Sequence, residues 1–210
     1  MGTEPLSKRD RQRQRREERL LLEAQRRKAQ RRNRLLIWIG GSGVLIAVVA
    51  LAIVPAARRA GPTPPPQGIA DVPVAGRDHV RTSVDYPTVP PAGGPHAPVW
   101  QNCGFYDNAV PNETAVHSLE HGAVWLAYDP SLSQAGRHAL QQLVTGRGFV
   151  LASPVTGLNA PVVATAWGKL LRTDGPEDPR LAEFVRAFVN GPQTPEPGAP
   201  CSGGVGQPSA

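Results

Sequence analysis

Hydrophobic positions along this chain fall into three patterns. Residues 35–54 (LLIWIGGSGVLIAVVALAIV) run for 20 residues without a charge. A helix rising about 1.5 Å per residue would carry them across the ~30 Å hydrocarbon core of a bilayer. A cleaved signal peptide has a shorter apolar region and a shorter leading segment, so the run predicts a retained transmembrane helix over 35–54. Farther on, residues 123–128 (AVWLAY) are continuously apolar, the pattern of a central strand covered on both faces. Residues 80–86, 149–152, 162–167 and 169–172 read as further strands, the last two joined near Gly168.

The third pattern is helical. Leu132, Ala135, Ala139, Leu140 and Leu143 share one stripe over 132–144, closed by Gly146 and Gly148. Leu181, Phe184, Val185, Phe188 and Val189 repeat at helical spacing. Asp178 is placed to cap that helix, Pro179 sits in its first turn, and Asn190–Gly191–Pro192 ends it. A helix between strands at 123–128 and 149–152 predicts a right-handed β–α–β crossover. The expected fold class is a small α/β domain with a mixed sheet, preceded by a single transmembrane helix.

Charge sharpens this division. Residues 1–34 carry 13 Lys/Arg against 5 Asp/Glu, while residues 62–210 carry 8 against 12, so the overall +6 belongs to the tail. Only Arg58 and Arg59 closely follow the apolar run, which orients the N-terminus to the cytoplasm and the larger domain to the outer side of the cell membrane. A basic tail tethered to a membrane is expected to partner anionic inner-leaflet lipid rather than nucleic acid. The predicted organisation is a basic cytoplasmic tail at 1–34, the membrane helix at 35–54 and a Pro-rich linker at 55–76. An extracytoplasmic domain at 77–205 and a disordered terminus at 206–210 complete it. Of 23 prolines, 21 lie beyond residue 60, so the domain must be rich in irregular segments.

The candidate chemistry centres on residues 117–121, His-Ser-Leu-Glu-His. Residues i and i+4 share a helix face, so His117 and His121 could grip one ion if this segment is helical. On a strand they would stand ~13 Å apart. Gly122 is placed to end such a helix, with Asn112 as its expected N-cap. His96 and His79, on loops, could bring further ligands, and imidazoles suit zinc, copper or nickel. Glu113 or Glu120 could orient an imidazole. The same residues match the H-x-x-E-H pattern of inverted zinc peptidases, in which Glu120 would activate water and a distant carboxylate such as Glu196 would be a third ligand. A third alternative makes the histidines structural, in a non-catalytic envelope interaction domain. His138 falls off its helix's apolar stripe and is expected to be exposed.

Cys103 and Cys201 are the only cysteines. Outside the membrane they are expected to pair as a disulfide, with metal thiolates as the rival. Trp100, Trp125 and Trp167 could line a pocket or fill the core. The single methionine, Met1, excludes a thioether-lined copper(I) site. No Lys–Ser/Thr phosphate loop and no Gly-x-Ser-x-Gly elbow occurs, which leaves nucleotide and serine hydrolysis without support.

Several motifs occur together in order: PPAGGPH at 90–96, Trp100 with Cys103–Gly104 and Tyr106, HSLEHG at 117–122, ATAWG at 164–168 and GPQTPEPGAPC at 191–201. In these the chain resembles the bacterial family known as domain of unknown function 3105, over essentially all of residues 77–205. It departs at Ala92–Gly93, where that pattern has a Thr–Ser pair. The resemblance implies membrane attachment and an uncharacterised activity, and it assigns no catalytic residue.

Overall fold

The computed structural model describes residues 64–209. The basic tail at 1–34, the predicted membrane helix at 35–54 and the predicted linker as far as residue 63 lie outside the described residues. Among the described residues, no helix is long and apolar enough to cross a membrane.

Six strands form one mixed sheet. They are β1 (Ile69–Asp71), β2 (Gly104–Phe105), β3 (Val124–Tyr128), β4 (Val150–Pro154), β5 (Val162–Ala166) and β6 (Lys169–Thr173), in the order β1-β6-β5-β3-β4-β2. β4 runs parallel to both β3 and β2, and the other neighbours are antiparallel. The helices among the described residues are α1 (Asn112–Glu120), α2 (Gln134–Val144) and α3 (Pro179–Phe188).

The unbroken apolar run over β3 has a simple cause: the strand is covered twice. Alternate side chains point to opposite faces. Val124, Leu126 and Tyr128 meet Leu140 and Val144 of α2 and Leu181, Phe184, Val185 and Phe188 of α3. Trp125 and Ala127 meet Ala115 and Leu119 of α1 on the other face. Every β3 residue is buried, and its register is pinned on both sides, with Trp125 opposite Leu151 of β4 and Thr165 of β5. The β3–α2–β4 unit joins parallel strands through a helix, as the periodicity predicts. Asp178 caps α3, accepting from the Arg180 N–H at 2.9 Å, with Pro179 in the first turn.

Four expectations are corrected. Residues 80–86 form no strand. Prolines at 87, 90, 91, 95 and 98 remove backbone donors from the loop that follows, and beyond the Val80 N–H, which donates to the His96 carbonyl at 2.7 Å, side chains hold the segment. The Val84 N–H donates to Glu113 Oε1 at 3.0 Å, and the Tyr86 hydroxyl to the Pro95 carbonyl at 2.7 Å. Asn112 is not the cap of α1 but its first residue, following Pro111, and no side chain caps that helix. Ile69–Asp71 belong to the sheet rather than to a linker, with Ile69 opposite Leu171 of β6. The end of the chain is tied down through residue 209: Asn102 Nδ2 donates to the Gly206 carbonyl at 2.7 Å, and the Ser209 N–H to the Phe105 carbonyl at 2.7 Å.

α1 stops where its glycine predicts. Gly122 adopts φ +101°, a conformation that side chains make costly, and turns the chain sharply into β3. A Cβ there would stand 2.5 Å from Asn190 Oδ1 and 3.2 Å from Asn190 Cα. Gly122→Ala is therefore expected to destabilise the fold by at least ~2 kcal/mol, combining backbone strain with the clash. A urea-unfolding midpoint equal to that of the unaltered chain would contradict this.

Candidate metal centre

The sheet sets the rotation of α1. With Ala115 and Leu119 committed to the core around Trp125, the same helix directs His117, Glu120 and His121, at spacings of three and four, to a common side. The proline-rich loop meets them there. Its backbone is stitched to α1, the Ala97 N–H donating to the Glu113 carbonyl at 3.2 Å and the Gln101 N–H to the Thr114 carbonyl at 3.0 Å. Within the loop, an isolated bridge aligns His79 with His96. The result is a cluster of His79, His96, His117 and Glu120 whose ligand atoms all lie within 4.8 Å of one another.

Three imidazoles share one arrangement. His96 Nδ1 lies 2.8 Å from the Gly94 carbonyl, His117 Nδ1 2.6 Å from the Ala97 carbonyl and His121 Nδ1 2.6 Å from the Pro200 carbonyl. A carbonyl only accepts, so each Nδ1 must carry the proton, and in the neutral ring each Nε2 is a bare lone pair. These lone pairs face other acceptors. His117 Nε2 and His121 Nε2 are 2.9 Å apart, and His96 Nε2 is 2.9 Å from Glu120 Oε2. Acceptors at such distances need a positive species between them, a proton or a metal ion. On a tetrahedral ion with bonds of about 2.0–2.1 Å, neighbouring ligand atoms would stand roughly 3.3 Å apart; the separations of Glu120 from His96 and His79, 2.9 and 3.8 Å, lie on either side of that value.

Burial heightens that demand. His96 and Glu120 are 0% and 1% exposed. The ion-pair partners of Glu120 among the described residues are His96, at 2.9 Å, and His79, at 3.8 Å. A buried carboxylate facing only imidazoles needs cationic compensation. Burial pushes the His117 imidazolium pKa down to about 4, its bond to the Ala97 carbonyl opposing the shift and the neighbouring His121, His96 and His79 adding to it. His117 is thus held neutral, the form that ligates. His79 stacks on its ring, with centroids 5.0 Å apart, and is the open member, its side chain 50% exposed.

The structure thus gathers three of the four predicted ligands, His79, His96 and His117, around one point. His121 lies at the edge, beside His117 but outside the four-atom cluster. Glu120 is the member of the cluster that the sequence pattern obscured, since H-x-x-E-H assigns its carboxylate to water; its spacing of three from His117 was the available signal. Glu113 orients no imidazole and instead holds the Val84 N–H, leaving backbone carbonyls to fix the rings. Glu196, 49% exposed, approaches His121 Nε2 to 3.8 Å. Cys103 and Cys201 are at disulfide distance, with Cα atoms 5.4 Å apart, which removes thiolates from the candidate ligands. Trp125 fills the core and bonds Ser153 Oγ at 3.0 Å, whereas Trp100 lies beside the site, 5.1 Å from the His121 ring. His138 is exposed, as its position off the stripe predicts.

A pH dependence follows for the metal-free protein. An ordinary His protonates near 6.5 and His117 only near 4, so between those values the unfolded chain binds more protons than the folded one. Stability contributed by neutral His117 is present above pH 6.5 and falls as pH drops towards 4. Urea midpoints across pH 7 to 4 should decline, and His117→Gln should flatten the decline. An unchanged slope in that variant would contradict the assignment.

Residues 79–203 match the model of a family described as "Protein of unknown function (DUF3105)". No curated protein and no solved structure matches the chain. The family match takes in the proline-rich loop, all of α1 and Cys201, and it spans more than half of the 210 residues; the chain belongs to the DUF3105 family.

Proposed function

We propose that this protein is a membrane-anchored, metal-binding protein. In this reading an extracytoplasmic domain holds one divalent transition-metal ion through His79, His96, His117 and Glu120. The observation that carries it is the convergence of these four side chains, with ligand atoms within 4.8 Å of one another, around a buried carboxylate, the Nδ1 protons of His96 and His117 being taken by carbonyls so that their Nε2 atoms are bare. Metal-bound histidines characteristically donate their other ring N–H in this way. Imidazole and carboxylate ligands without thiolate suit zinc(II) or copper(II). Binding would release the mutual repulsion of the lone pairs and supply the cation that Glu120 lacks.

Membrane attachment rests on the uncharged run at 35–54, and orientation on the basic residues that precede it. In that setting the tail would lie against anionic lipid. A binding role is favoured over zinc-peptidase chemistry because Glu120, 2.9 Å from His96 Nε2, stands among the ligands rather than apart from them as a water-activating base. An interaction domain with structural histidines would leave the carboxylate compensated only by a proton.

Metal content of the full-length chain, purified in detergent and dialysed against micromolar zinc(II), tests the reading by mass spectrometry. One zinc per chain is expected, falling below a tenth in His117→Ala with an unchanged circular dichroism spectrum. A folded, metal-free wild-type chain would refute it. Glu120→Gln separates binding from hydrolysis: a ligand role predicts affinity weakened about tenfold or more, whereas a hydrolase would keep its metal and lose turnover.

A further inference from the structure

The segment after α3, residues 190–209, runs across the end of α1 as a strap. The Asn190 N–H donates to the Gly122 carbonyl at 2.9 Å and the Glu196 N–H to the Glu120 carbonyl at 3.1 Å. Pro200 supplies the carbonyl that fixes His121, and Glu196 presents its carboxylate 3.8 Å from His121 Nε2. Cys201 follows Pro200 directly and meets Cys103, 98 residues earlier, with the Cys103 N–H donating to the Cys201 carbonyl at 2.8 Å. Pro192, Pro195, Pro197 and Pro200 have no N–H to donate, so between Glu196 and Cys201 few backbone bonds hold the strap down. Trp100 Nε1 beside the site and Thr194 Oγ1 on the strap are buried with no hydrogen-bond partner among the described residues.

We propose that this strap is a working part of the metal site. Its Pro200 carbonyl sets the tautomer that leaves His121 Nε2 bare beside His117, at the edge of the four-ligand cluster. Its Glu196 carboxylate flanks that nitrogen from the solvent side, 3.8 Å away, and adds negative charge next to the metal site. The Cys103–Cys201 bond locks both in place, so metal occupancy and the redox state of that cysteine pair are coupled. The proposal rests on the metal-binding reading above and adds to it a strap that supports the site's edge and a partner reaction, thiol–disulfide exchange with a dithiol. In that exchange the Sγ–Sγ bond breaks and takes up two electrons and two protons. The dithiol gives them up and closes to its own disulfide, leaving two thiols on this chain and a strap free to lift from His121. Coupling of this kind is reciprocal: whatever factor oxidation adds to metal affinity, the metal adds to resistance against reduction.

The test uses the full-length chain and zinc(II) alone, with free zinc clamped by a chelator buffer. The midpoint potential of the cysteine pair, measured in glutathione buffers, should become more negative with zinc. The shift should be about 30 mV for each tenfold difference in zinc affinity between the oxidised and reduced forms. Glu196→Gln, which leaves the disulfide intact, should weaken zinc binding severalfold, and Cys103→Ser/Cys201→Ser at least tenfold in a folded protein. If wild-type protein binds no zinc, the metal-binding reading falls and this proposal with it. If zinc binds but the potential is unmoved and Glu196→Gln binds as tightly as wild type, this proposal alone is overturned. A shift to more positive potential is equally contrary to it, since it would show zinc captured by the freed thiols.

Discussion

Three backbone carbonyls, those of Gly94, Ala97 and Pro200, govern the chemistry of this domain. By accepting the Nδ1–H of His96, His117 and His121 they decide which nitrogen of each ring is bare. The carbonyls come from two distant parts of the chain: the proline-rich loop fixes His96 and His117 within the cluster, and the C-terminal strap fixes His121 at its edge. Prolines suit both segments. They restrict the backbone and reduce the number of N–H groups competing for those carbonyls.

The sheet supplies the frame. Because β3 is buried on both faces, α1 cannot turn without exposing Ala115 and Leu119 or displacing Trp125. The helix rotation that directs His117 and Glu120 towards the loop is therefore fixed by hydrophobic packing on the opposite side. Gly122 then lets the chain leave α1 and enter β3 at once, keeping the histidines next to a strand buried along its whole length.

How much of this was legible follows from range. The helical stripes of α2 and α3, the Asp178 cap, the doubly covered β3 and the stop at Gly122 are local patterns, each written in a few consecutive residues. β1 and β2, of three and two residues, are too short to show any period, so Ile69–Asp71 read as linker and the strand pairing of Gly104–Phe105 was invisible. The prediction for 80–86 failed because β-branched residues there resemble a strand while neighbouring prolines and Glu113 dictate otherwise. In the site, the i and i+4 histidines were readable and the convergence of His79 and His96 was only a possibility, since it depends on a bridge between loop segments. The place of Glu120 among the clustered side chains was masked by a motif that assigns it different work.

The most direct measurement of the central claim is X-ray absorption spectroscopy of the zinc-loaded, full-length chain. An imidazole–carboxylate centre predicts nitrogen and oxygen neighbours at about 2.0–2.1 Å, with the multiple-scattering signature of several histidine rings and no sulfur. Sulfur at about 2.3 Å, or a shell without imidazole scattering, would contradict it.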